Sequence, residues 1–141
     1  MKSLAASIFV SFLFLACSSA KKNASDSTTE KTISTLDGKY LVTQLNGENV
    51  SEHNITMEFD KKNKKVSGYS GCNTYSSTYT VSDNGVVIDI PMATKRYCPD
   101  LGDLEKDFFK ALTSCKTTQL KSDQLLLNGM EGKTLLAGVK E

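Results

Sequence analysis

Tryptophan is absent, histidine occurs once, at His53, and proline occurs only twice, at Pro91 and Pro99. With a single imidazole the chain cannot assemble a multi-histidine metal centre, and catalysis by His would rest on that one side chain. Excess charge of either sign is also lacking: 17 Lys+Arg against 16 Asp+Glu leave a formal charge of +1. That balance removes the basic footprint on which nucleic-acid binding depends. An apolar stretch long enough to cross a bilayer as a helix is missing too, since the most apolar run, Leu4 to Ala16, falls short of the about 20 residues required.

What is present begins with that run. Lys2 precedes it and Cys17 follows it, the pattern of a secretory signal peptide. The ending Phe14-Leu15-Ala16-Cys17 resembles a bacterial lipobox, in which the Cys is acylated and becomes the mature N-terminus. Residues 1–16 are therefore expected to be a signal peptide and Cys17 the lipidation site, anchoring the protein to a membrane. Removing residues 1–16, whose only charge is Lys2, takes the formal charge from +1 to zero. Residues 17–35 carry Ile33 as their only large apolar side chain, so they are expected to be a tether. Residues 36–141 are left as one domain of ordinary globular composition.

Within that domain the apolar residues recur with period two. Ile55, Met57 and Phe59 alternate with polar neighbours, as do Tyr75, Ser77, Tyr79 and Val81, and then Val86, Ile88 and Ile90. Asn84-Gly85 reads as a hairpin turn joining the last two runs. Leu125–Leu127 and Thr134–Val139 read as a second hairpin, and Lys39–Leu45 as the first strand of the sheet. A single segment has helical spacing: Leu101, Leu104, Phe108, Ala111 or Leu112, and Cys115, with Asp100 or Asp103 as N-cap. About seven or eight strands and one helix predict a strand-dominated α+β fold, a curved antiparallel sheet or small β-barrel closed by the helix.

Gly71-Cys72-Asn73 followed by Tyr75, then Thr94 four residues before Cys98, then Glu105, Phe108 and Leu112 in a Glu-x-x-Phe-x-x-x-Leu run, together resemble the META domain. This is the HslJ-like family of bacterial envelope lipoproteins, and the resemblance spans Leu36 to Val139. It implies a barrel-like α+β domain associated with heat shock, antibiotic tolerance or secretion, and implies no known reaction.

Three cysteines lie in the exported part, allowing three pairings. Cys115 falls on the apolar helix stripe, where a free thiol behaves as a small hydrophobe. Cys72 and Cys98 match the two motif cysteines, and the resemblance favours a disulfide between them. Asn73, Arg96 and Tyr97 flank these cysteines and are the candidate partner contacts, Arg96 foremost because no structural duty is evident for it, while Asn73 and Thr94 are expected first of all to bond local backbone in turns. His53 lies in a polar loop without a nucleophile motif beside it, and Lys61, Lys62, Lys64 and Lys65 crowd the turn after Phe59. No catalytic residue, metal or cofactor is expected.

The expected protein is a monomeric, non-enzymatic lipoprotein of the outer membrane, facing the periplasm and binding an envelope or secretion component. The alternative is a carrier whose barrel holds a lipid or hydrophobic molecule, with Tyr69, Tyr75, Tyr79 and Tyr97 at its mouth.

Overall fold

The period-two segments pair as an antiparallel sheet in a computed structural model that describes residues 31–32, 36–82 and 85–141. Residues 1–16, expected to be a signal peptide, and Cys17 lie outside the described residues. The strands are β1 (Lys31–Thr32), β2 (Gly38–Leu45), β3 (Glu48–Asn49), β4 (Thr56–Asp60), β5 (Lys65–Tyr69), β6 (Thr74–Ser82), β7 (Gly85–Ile88), β8 (Met92–Ala93), β9 (Thr117–Lys121), β10 (Gln124–Asn128) and β11 (Thr134–Lys140). One α-helix, α1 (Leu104–Thr113), stands between β8 and β9. The strand order is β1-β9-β10-β11-β2-β4-β5-β6-β7, with β3 beside β2 and β8 beside β6. β2, the first long strand in sequence, thus lies in the middle of the sheet, paired to β4 and β11.

The sheet curls until its ends nearly meet. The Val86 N–H of β7 donates to the Lys116 carbonyl just before β9, at 2.8 Å. A Cβ on Gly85 would sit 1.9 Å from that Lys116 oxygen, and Gly85 holds φ +130°, so both space and conformation demand glycine there. The interior is filled by side chains. Tyr40, Met57, Phe59, Tyr79, Leu125 and Leu136 are each less than 2% exposed, and the Phe59 ring meets those of Tyr40 and Tyr79 edge-to-face. Helix α1 packs Phe108, Ala111 and Leu112 against β2, β7 and β11. Cys115 follows the helix and is fully buried.

Four expectations change in detail. Ile90 does not join Val86 and Ile88 in the core but is 88% exposed. Tyr79 pairs with Ile88 while Ser76 pairs with Met92, so two residues of β6 face three on the opposing segment. This is a bulge within residues 89–91, and one extra residue inverts the alternation. The segment read as tether contributes β1, whose Lys31 and Thr32 pair with Leu120 and Gln119 of β9. The helix begins only at Leu104; Leu101 belongs to a separate 3-10 turn, Pro99–Leu101. Asp103 precedes the helix without a side-chain cap and instead faces Lys106 at 3.7 Å. At the β6–β7 connection Ser82 pairs with Gly85; Asn84 lies outside the described residues.

Candidate binding site: an exposed strip on a clamped backbone

Between β5 and β6 the chain reverses through Ser70-Gly71-Cys72-Asn73. Gly71 takes φ +95°, with Leu104 and Ile55 against it. The reversal directs Asn73 inward, where it is 3% exposed. Its Nδ2 donates to the Glu105 carboxylate, at 3.1 Å to Oε1 and 3.0 Å to Oε2, and to the Arg96 carbonyl at 3.2 Å. Its Oδ1 accepts from Thr94 Oγ1 and from the Arg96 N–H, both at 2.7 Å. The Asn73 N–H donates to Glu105 Oε2 at 3.2 Å, and Ser70 Oγ donates to the same carboxylate oxygen. A single side-chain amide therefore joins the β5–β6 loop, helix α1 and the segment after β8. Hydrogen bonds to an ionised group are the stronger kind, so Glu105 anchors the arrangement.

The second strap is covalent. Cys72 and Cys98 form a disulfide with their Cα atoms 6.0 Å apart. The backbone of residues 94–98 is thus fixed at Thr94, Arg96 and Cys98, while the side chains of Lys95, Arg96 and Tyr97 face solvent. Tyr97 is 87% exposed, and Met92 and Ile90, displaced by the bulge, are 80% and 88% exposed. Large apolar and aromatic groups stand on a rigid support.

The candidate residues separate accordingly. Asn73 is not a surface contact, and that expectation is corrected: its amide is consumed by internal bonds, which fits the structural role expected of it, although they reach Glu105 and Arg96 rather than the local turn backbone. Arg96 does have a structural duty, carried by its backbone N–H and C=O, which leaves its side chain available. Tyr97 is exposed as a contact residue must be. Tyr97 also stands apart from the buried Tyr75 and Tyr79 and the half-buried Tyr69, so the four tyrosines do not line one mouth. Sequence reasoning missed Ser70 and the buried bonding role of Glu105, which it identified only as a residue of the Glu-x-x-Phe-x-x-x-Leu run. Glu105 lies three residues before the buried Phe108, one turn away on the same face. A carboxylate on the buried face of a helix requires a partner, and that was the available signal.

Elsewhere the chemistry is subdued. His53 ends a 3-10 turn, its Nε2 3.5 Å from the Glu52 carboxylate. With Glu48, Asp100, Asp103 and Asp107 it borders an acidic groove of about 420 Å3. Among the described residues no group of three or more His, Cys, Asp or Glu is arranged to hold a metal. Burial pushes the Cys115 thiol up to about 12, which keeps it protonated and unreactive at neutral pH.

The family model described as META domain matches residues 32–141. The chain belongs to the META domain family. Its match begins at Thr32, within β1, so the short strand lies inside the region that the family shares. Two solved structures have the META fold seen here. An NMR structure of a protein from Burkholderia xenovorans aligns with TM-score 0.59 and 22% identity over 74% of this chain and 82% of that one. A crystal structure of a DUF4847 family protein from Bacteroides vulgatus aligns with TM-score 0.57 and 15% identity over 74% of this chain and 93% of its own. At such identities the likeness is one of fold. A search of curated proteins returned no match.

Proposed function

We propose that this protein is a non-enzymatic envelope lipoprotein, anchored through Cys17 to the outer membrane on its periplasmic side, whose META domain binds a stress- or secretion-associated envelope protein. The observation that carries the reading is the strip from Ile90 to Tyr97. Tyr, Arg and Met are the residue types enriched where proteins bind one another. Holding them on a clamped backbone reduces the entropy lost on association. The interior packing of Tyr40, Phe59 and Tyr79 favours this over the carrier reading, because the space a ligand would need is occupied by side chains. The protonated, buried Cys115 and the isolated His53 favour binding over catalysis.

The test is a photo-crosslinking amino acid placed at Tyr97, with Lys106 on the helix as the comparison position, in cells bearing the native envelope. The expected result is a discrete adduct from position 97, absent from position 106 and lost when Met92→Asp is added. Equal labelling from both positions, or an adduct indifferent to Met92→Asp, contradicts the reading.

A further inference from the structure

The near-zero net charge conceals a local excess of lysine at one end of the barrel, which Asp60 and Asp123 there offset only in part. The register of the sheet gathers six exposed lysines at one end of the barrel: Lys61, Lys62, Lys64 and Lys65 around the β4–β5 turn, Lys121 at the β9–β10 turn, and Lys140 at the end of β11. The turn is built rather than loose. Asp60 Oδ1 accepts from the Asn63 N–H at 3.0 Å and Oδ2 from Asn63 Nδ2 at 2.6 Å, and Lys64 lies over the Tyr79 ring, 5.7 Å from its centroid. Lys39, at the same end, is neutralised by Glu141 at 2.7 Å, whereas none of the six is salt-bridged among the described residues. The acidic groove, bordered by Glu48, Asp100, Asp103 and Asp107, lies toward the other end, as does the Met92–Tyr97 part of the strip, whereas Ile90 follows Asp89, which bonds Thr78 opposite Lys65.

The chain joins the domain at the lysine end. Lys31 of β1 pairs with Leu120, beside Lys121. From Cys17 to Lys31 the chain reaches at most about 50 Å, long enough for this end to meet the surface that holds Cys17, so the lysines rather than the tether must set the orientation. We infer that the lysine-rich end of the barrel docks onto the anionic headgroups of the membrane that holds the lipid anchor, turning the Met92–Tyr97 part of the strip away from the bilayer. The orienting role rests on the anchor proposed above; the affinity for an anionic surface does not, and the two are measured separately. A basic cluster near an anionic surface gains roughly fivefold in partitioning per lysine, and salt screens it.

Residues 18–141 contain every described strand and the whole core, so this unlipidated form is mixed with vesicles of phosphatidylcholine alone or with phosphatidylglycerol. At about 0.01 M salt it should sediment with the anionic vesicles only, and much less at about 0.15 M. Lys61→Gln with Lys62→Gln should weaken partitioning about 25-fold, whereas Lys106→Gln with Lys133→Gln should not. Because the chain lacks tryptophan, a Lys121→Trp variant supplies one fluorophore that brominated anionic lipid should quench, and a Tyr97→Trp variant one that it should spare. Binding to neutral vesicles, indifference to the two lysines, or quenching at position 97 instead of 121 overturns the inference, as does binding to no vesicle. The intact mass of protein extracted from membranes reports acylation of Cys17 independently, so a missing anchor is not mistaken for a missing basic surface.

Discussion

Asn73 shows how much one buried amide can organise. It contributes to five hydrogen bonds that reach the Glu105 carboxylate, the Thr94 hydroxyl and both backbone groups of Arg96. Asn73→Ala would leave the Glu105 carboxylate and the Arg96 backbone without these partners, and unsatisfied buried groups dominate the cost of such deletions. The expected loss is about 3 kcal/mol, read from the shift in a urea midpoint at unchanged slope. A loss below about 0.5 kcal/mol would mean that water replaces the amide without penalty. The sequence revealed this site only in outline. Residues 72, 73, 94, 96 and 97 drew notice by their nearness to the cysteines, but which were buried could not be read. Asn73 and Arg96 are both polar and both adjacent to the motif, and only the fold's handling of the Gly71 reversal sends one side chain inward and leaves the other outside.

Among the elements, those with strong periodicity were legible: β4, β6, β10, β11 and the Phe108–Leu112 face of α1 lie where alternation and helical spacing put them. The failures arise where an extra residue or a distant partner intervenes. Nothing in the local pattern of Val86, Ile88 and Ile90 announces the bulge that turns Ile90 outward, although Pro91 was a cue. The two-residue strand β1 has no hydrophobic signature and exists because β9 offers it an edge. Barrel closure depends on the same kind of long-range contact. Gly85→Ala would drive a methyl group into the Lys116 carbonyl, so β7 and β9 must separate or strain. We expect a loss of roughly 3 kcal/mol from overpacking and positive φ together, visible as a lower thermal midpoint. A midpoint unchanged from the parent would show that the β7–β9 contact contributes nothing to the barrel.

Across the whole molecule, the two proposed functions lie at different ends rather than in one pocket. The core is sealed with aromatic and aliphatic side chains. The lysine-bearing end receives the chain from Cys17, and the other carries a backbone-clamped strip with exposed side chains at its surface. The disulfide and the Asn73–Glu105 bonds support that strip from beneath by independent means. Composition could not reveal this polarity, because 17 cations and 16 anions cancel in the sum and only the strand register separates them. Family membership was readable from the motif. What the motif does physically, clamping a segment so that its neighbours can be displayed, emerged only from the hydrogen bonds.

The measurement that tests this account most directly is backbone amide exchange across Thr94–Tyr97. The Arg96 amide, bonded to Asn73 Oδ1, should exchange slowly although the residue is exposed. In Asn73→Ala it should become fast, while the Val42 amide, bonded to the Ile55 carbonyl in the core, stays protected. Rapid exchange at Arg96 in the unaltered protein would contradict the account, because the strip would then be an ordinary loose loop rather than a surface held ready for a partner.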